Sequence, residues 1–238
     1  MRFTKVRSVF KKRAKLPPQH HALLVMCALA LVCSSSFAAP INLVPGESFF
    51  VPSGAGPIAG TVEVGTGIPV PFVSGTFNGT LTSTVYLDDD TNPYGGLTFT
   101  YQLTSNSAPA PAGDIDRLTI NDYAGFTVDG SYRATNATDV PPTLVDRDVS
   151  GDVIGFSFLN LPGNLGNGPL HKGFTSALLV LQTGALTFQP TLVAVIDGST
   201  VIVPSFSPSR NIPEPSSFIL AALGLVGFGA WRWRRKRA

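Results

Sequence analysis

The segment Asp146-Arg147-Asp148-Val149-Ser150-Gly151-Asp152 places side-chain oxygens at positions 1, 3 and 5 of a loop, with glycine at position 6. A hard divalent cation takes roughly six to eight oxygen ligands and needs a sharp turn to gather them, so Asp146, Asp148 and Asp152 are candidate calcium ligands. Position 12 is Ser157, where an EF-type loop has a bidentate Glu, and the same residues also read as polar turns of an Asp-rich β protein. Asp88-Asp89-Asp90 with Asn92 is a second acidic cluster, whose mutual repulsion a cation or water relieves. His171 is the one histidine beyond residue 21. Without Cys or a second His beside it, it does not make a transition-metal set. It suits a Ser-His-Asp arrangement only if the fold supplies the other two members, and no Gly-x-Ser-x-Gly turn is present. Carboxylates are numerous enough for a glycosidase pair, yet Glu47 and Glu63 are the only glutamates between residues 39 and 211. A chain rich in Asp and poor in Glu reads as turns and loops more than as an acid/base pair. No catalytic residue is assigned, and the expectation is a protein that is not an enzyme.

The elements that must position these groups are strands. Residues 97–103 alternate apolar and polar without exception, and Leu81, Val85 and Leu87 alternate with threonines one segment earlier, as in strands with one buried face. Further strands are expected at 48–51, 61–64, 70–73, 117–120 and 153–159. Asp197-Gly198 and Asp129-Gly130 lie between β-prone runs and supply the positive φ of a tight hairpin turn; Thr183-Gly184 is a weaker third case. The run 178–181 is apolar on both faces, and its length favours a central strand over a buried helix. Sixteen of the twenty prolines fall between residues 40 and 211, where they stop helices and blunt strand edges. The expected fold is all-β, an antiparallel β-sandwich of jelly-roll type, flanked by an N-terminal signal helix and a C-terminal transmembrane helix.

The ends of the chain differ from its middle. Residues 1–15 carry seven basic residues and no acid, and an apolar run follows at 22–32. That is a secretory signal peptide with a long basic start. Ser36-Phe37-Ala38 puts small residues at the two positions a signal peptidase reads, so cleavage is expected between Ala38 and Ala39. It removes Cys27 and Cys33, the only cysteines, and with them any disulfide framework or thiolate chemistry. The net charge of +2 conceals the division: residues 39–211 keep five of the seventeen basic residues and every acid except Glu214, a formal charge of −9. Nucleic acid and anionic lipid both call for a basic footprint, so neither is an expected ligand of this segment, and nucleic acid is not an expected partner.

Residues 213–238 read as an address. Pro213-Glu214-Pro215 precedes an apolar run free of charge from Phe218 to Ala230, and Arg232, Arg234, Arg235, Lys236 and Arg237 close the chain. About sixteen helical residues span roughly 24 Å at 1.5 Å each, short of a hydrocarbon core of about 30 Å. Trp231 and Trp233 at the interface and snorkelling basic stems close that gap, and the five basic charges hold the tail in the cytoplasm. The order of parts resembles the tripartite signal of PEP-CTERM proteins, exported bacterial proteins whose C-terminus is read and removed by the membrane protease exosortase. The resemblance covers about a tenth of the chain. It implies Pro213, Glu214 and Pro215 as the sorting motif, the basic residues as the membrane-anchoring tail, and signal peptidase and an exosortase-type protease as partners. It further implies a transient inner-membrane anchor followed by release to the surface or the extracellular polysaccharide.

The domain organisation expected is a signal peptide at 1–38, a β-sandwich at 39–204, a linker at 205–212 and the sorting segment at 213–238. Two functions follow. One is a non-enzymatic surface or extracellular-matrix protein; the other is a secreted carbohydrate-binding or carbohydrate-active protein with the same signal. A simple C-terminally anchored membrane protein is the plainer alternative. Both tryptophans lie in the tail and only five tyrosines serve the rest, which favours the first.

Overall fold

The computed structural model describes residues 42–210 except 55–56, 66 and 163–167. The signal and transmembrane helices expected from the sequence, the cleavage site at Ala38 and Ala39, and the sorting motif with its basic tail fall outside the described residues. Within them the chain is all-β, and no helix is present, so none is long and apolar enough to cross a membrane. The twelve strands are β1 (Ser48–Phe50), β2 (Thr61–Val64), β3 (Val70–Val73), β4 (Asn78–Leu87), β5 (Thr98–Ser105) and β6 (Arg117–Ile120), then β7 (Val128–Arg133), β8 (Leu144–Arg147), β9 (Ile154–Ser157), β10 (Leu178–Thr183), β11 (Phe188–Asp197) and β12 (Ser199–Pro208).

They form two sheets with antiparallel ladders throughout. The first runs β1-β8-β9-β6-β11-β12; the second runs β2-β4-β5-β10-β7, with β3 beside β2 on the same edge of β4. Sequence neighbours lie side by side at β3–β4, β4–β5, β8–β9 and β11–β12, so hairpins alternate with connections that cross between sheets. Both sheets feed one core, in which Leu81, Phe99, Leu103 and Leu181 meet Leu118, Val145, Phe156 and Val193, all fully buried. Each such side chain contributes about 1.5–3 kcal/mol relative to an exposed one. Tyr101 and Tyr123 share a hydrogen bond of 2.9 Å at the centre, and Tyr101 also donates to the Phe206 carbonyl at 2.8 Å. Burial pushes both phenols above their ordinary range, so they stay neutral.

Four expectations change. The alternation of 97–103 is present, with Leu97, Phe99, Tyr101 and Leu103 in the core, but Thr98 and Thr100 on the opposite face are also buried. Asp129-Gly130 is not a turn: both lie inside β7 and pair with Gln182 and Leu181 of β10. A Cβ on Gly130 would stand 3.1 Å from a Val145 methyl, so this glycine allows the two sheets to approach. Thr183-Gly184 joins β10 to β11 across different sheets rather than forming a hairpin. Residues 205–208 are not a linker, because β12 continues to Pro208 in register with β11. The Asp197-Gly198 hairpin is present, with Gly198 at φ 59° and Asp197 opposite Ser199.

Candidate functional site

The segment taken as a calcium loop is the connection from β8 to β9. Asp146 is the third residue of β8, and its carboxylate receives both terminal nitrogens of Arg117 at 2.6 and 2.7 Å. Asp148 caps the turn: its Oδ1 accepts the Val153 amide at 2.9 Å and its Oδ2 accepts the Ser150 hydroxyl. The hydroxyl and amide donors hold its carboxyl below the usual range. Asp152 Oδ1 accepts the Ala124 amide at 3.4 Å. Among the described residues no three acidic, His or Cys side chains gather as a metal set. Asp146, Asp148 and Asp152, the expected calcium ligands, are each engaged by protein donors instead of sharing one point. The organising cation is internal: Arg147, buried, donates to the carbonyls of Gly151, Leu43, Tyr123 and Phe126 at 2.7 to 2.9 Å.

The second acidic cluster is likewise organised from within. Asp89 is 5% exposed, and its carboxylate accepts from Ala59 N, Thr91 N, Thr91 Oγ1, Thr98 Oγ1 and Gln182 Nε2 at 2.7 to 3.3 Å. Burial opposes its charge, and these donors outweigh burial, so its carboxyl lies below the ordinary range. Thr91 Oγ1 also accepts from Arg133 at 3.1 Å, while Asn92 Nδ2 reaches the carbonyls of Gly96 and Thr183. The result is a polar clasp that folds segment 88–97 over the outer face of the second sheet.

A cleft the sequence did not announce lies at the end of the hairpin β11–β12. Asp114, Asp116, Asp197, His171 and Lys172 line it, and its volume is about 740 Å³. A reciprocal pair of main-chain bonds between Ile115 and Leu170, at 2.9 and 2.8 Å, brings 114–116 against 169–172. Asp114 then holds His171 Nδ1 at 2.8 Å and the Lys172 amide at 3.1 Å. Burial first, then the charge and hydrogen bond of Asp197 and the charge of Asp114, raises the Asp116 carboxyl above its usual range. No single stretch signals this cluster, since its members come from three segments up to 83 positions apart.

Among the described residues His171 Nδ1 is hydrogen-bonded to the Asp114 carboxylate and to no hydroxyl. Tyr101 and Tyr123 are sealed in the core, so they offer no platform for a sugar ring. Of the two Asn-x-Thr triplets, Asn78 is buried with its amide on the carbonyls of Pro109 and Pro111, and Asn136 is exposed.

An all-β domain that ends directly in a C-terminal address defines an exported, sorted protein. The chain carries the PEP-CTERM protein-sorting motif: residues 211–236 match its family model, beginning three residues after β12. That motif marks processing by exosortase-type sorting machinery and export to the cell envelope or surface. The chain is also similar to the xylose transport system permease protein XylH of Escherichia coli K12, of Escherichia coli O6:H1 and of Shigella flexneri. Each is 34% identical over 62 residues, 24% of this chain and 16% of the permease. The chain thus spans about a sixth of the length of these curated relatives. No solved structure matches the chain.

Proposed function

We propose that this is a non-enzymatic protein of the cell surface or extracellular matrix, delivered by exosortase and held among exopolysaccharide. Signal peptidase releases the N-terminus at Ala38 and Ala39. The apolar run with its basic tail then parks the folded domain on the outer side of the inner membrane until the C-terminus is removed. The observation that carries the reading is the placement of the sorting motif at 211–236, next to the last strand of a folded domain. The internal hydrogen bonding of the acidic clusters supports a structural role over a metal-dependent one.

A second reading, a carbohydrate-binding protein with the same signal, draws on the cleft of Asp114, Asp116, His171 and Lys172, whose polar groups suit hydroxyl-rich ligands. Fractionating cells that express the chain with Pro213, Glu214 and Pro215 replaced by Ala tests the main reading. The variant is expected to stay with the inner membrane while the parent reaches the surface and medium. Equal release of both would end the proposal.

A further inference from the structure

At its open end the last hairpin turns polar residues inward and apolar ones outward, while Val193, Val195 and Val203 stay in the core. Along β12 the inward positions beyond Val203 are serines: Ser205 bonds Ser83 of the opposite sheet at 2.8 Å, and Ser207 bonds the Asp122 carboxylate at 3.1 Å. Alternation then sends the apolar residues outward. Ladder partners share a face, so Leu192 stands beside Pro204, Pro190 beside Phe206, and Ala194 beside Ile202. Leu192 and Ile202 are 56% and 54% exposed, Pro190 and Pro204 are exposed, and Phe188 meets Phe206 edge to face at 5.9 Å behind them. Between Lys172 and Arg210 the chain has a single charged residue, Asp197, and that lies at the far end of the hairpin.

We infer that the outer face of β11–β12 rests on the surface of the lipid bilayer while the C-terminal segment is still attached. This deepens the proposal above and rests on its reading of that segment as a membrane anchor. The argument is one of tether length. β12 ends at Pro208 and the uncharged run begins at Ser216, so the eight Cα-to-Cα steps across the seven intervening residues span at most about 29 Å, at 3.6 Å each. Pro204 is four residues back from the strand end, about 13 Å, and Ile202 about 20 Å. A short tether holds the patch at high effective concentration near the lipid. A domain of formal charge −9 repels a second copy of itself, and the uncharged hairpin is the face that meets an anionic leaflet with least repulsion. Exposed aliphatic and proline side chains take up the apolar boundary of the headgroup region, where they leave water without abandoning any hydrogen bond.

The test uses the full mature chain, residues 39–238, which has no cysteine of its own, with one new cysteine, Ile202→Cys on this face or Val62→Cys on the other sheet. Each is labelled with an environment-sensitive dye and reconstituted into phosphatidylethanolamine and phosphatidylglycerol vesicles with brominated acyl chains. A parallel chain ending at Ile212 measures whether flotation needs the C-terminal segment. The expected result is flotation of the full chain only, with the dye at 202 quenched at least about twofold and the dye at 62 unquenched. Adding Leu192→Asp abolishes the quenching but not the flotation. Flotation without quenching at 202, or equal quenching at both positions, overturns the docking while leaving the anchor. A dye at 202 that shifts to the blue without lipid quenching assigns the face to a second copy and also overturns it. If the chain ending at Ile212 floats as well as the full chain, the anchor reading fails and takes the docking with it.

Discussion

Arg147 is 4% exposed and donates to four main-chain carbonyls, two of them between strands β6 and β7, one ahead of β1 and one in the turn after β8. Burial opposes its charge and lowers its pKa; the nearby Asp148 and Asp152 favour it. Replacing it with Met leaves those carbonyls without donors, each costing about 1–3 kcal/mol when buried. Arg147→Met is therefore expected to lower stability by at least about 3 kcal/mol in urea unfolding, and Arg147→Lys nearly as much, because one ammonium cannot span the fork. Lys restoring full stability would show that charge alone suffices. Asp89 makes the opposite case, a buried anion satisfied by neutral donors. Its folded pKa lies below the unfolded 3.8, so its contribution is complete above about pH 4 and is lost as pH falls through the folded value. Asp89→Asn is expected to cost about 1–3 kcal/mol at neutral pH, with the gap to the parent narrowing below pH 4 in urea titrations. A gap that stays constant to pH 2 would contradict the assignment.

The strands show where local pattern suffices and where it fails. Residues 61–64, 70–73 and 117–120 form the strands their β-branched and alternating residues specify. Asp197-Gly198 turns the chain because the positive φ of Gly198 is a local requirement. Asp129-Gly130 offered the same two letters, but its glycine answers to Val145 from the other sheet, a contact no local window contains. Residues 205–208 resembled a linker because Ser and Pro are turn-prone. Their serines are instead inward groups with hydrogen-bond partners on Ser83 and Asp122. The spacing of Asp146, Asp148 and Asp152 was legible while their protein partners were not, since Arg117 comes from a distant strand and Arg147 folds back within the same segment. The cleft of Asp114, Asp116 and His171 depends wholly on the Ile115–Leu170 bridge. At this scale the prediction concerns β12. A chain stopped at Pro204 loses the ladder to 188–191 and the Ser205, Phe206 and Ser207 contacts. Relative to one stopped at Arg210, its Tm is expected to fall by about 10 °C or more, at roughly 2–4 °C per kcal/mol for a domain of this size. Equal Tm values would return 205–208 to the role of a linker.

For the whole molecule the division of charge describes a journey. Seven basic residues lead and five trail, around a middle at −9 that has no cysteine and keeps most of its carboxylates exposed or internally bonded. The folded domain closes at Pro208 and Arg210, where Arg210 hydrogen-bonds the Ala124 carbonyl, and the sorting motif starts at residue 211. Cleavage near Pro213-Glu214-Pro215, as proposed, would leave all twelve described strands in the released chain. The intact mass of the protein recovered from the medium of cells that sort it measures this directly. The account predicts a chain that begins at Ala39 and ends near Pro213, without Trp231 or the basic tail. A released chain that retains residues 231–238 would contradict removal of the sorting segment and leave only a simple anchor.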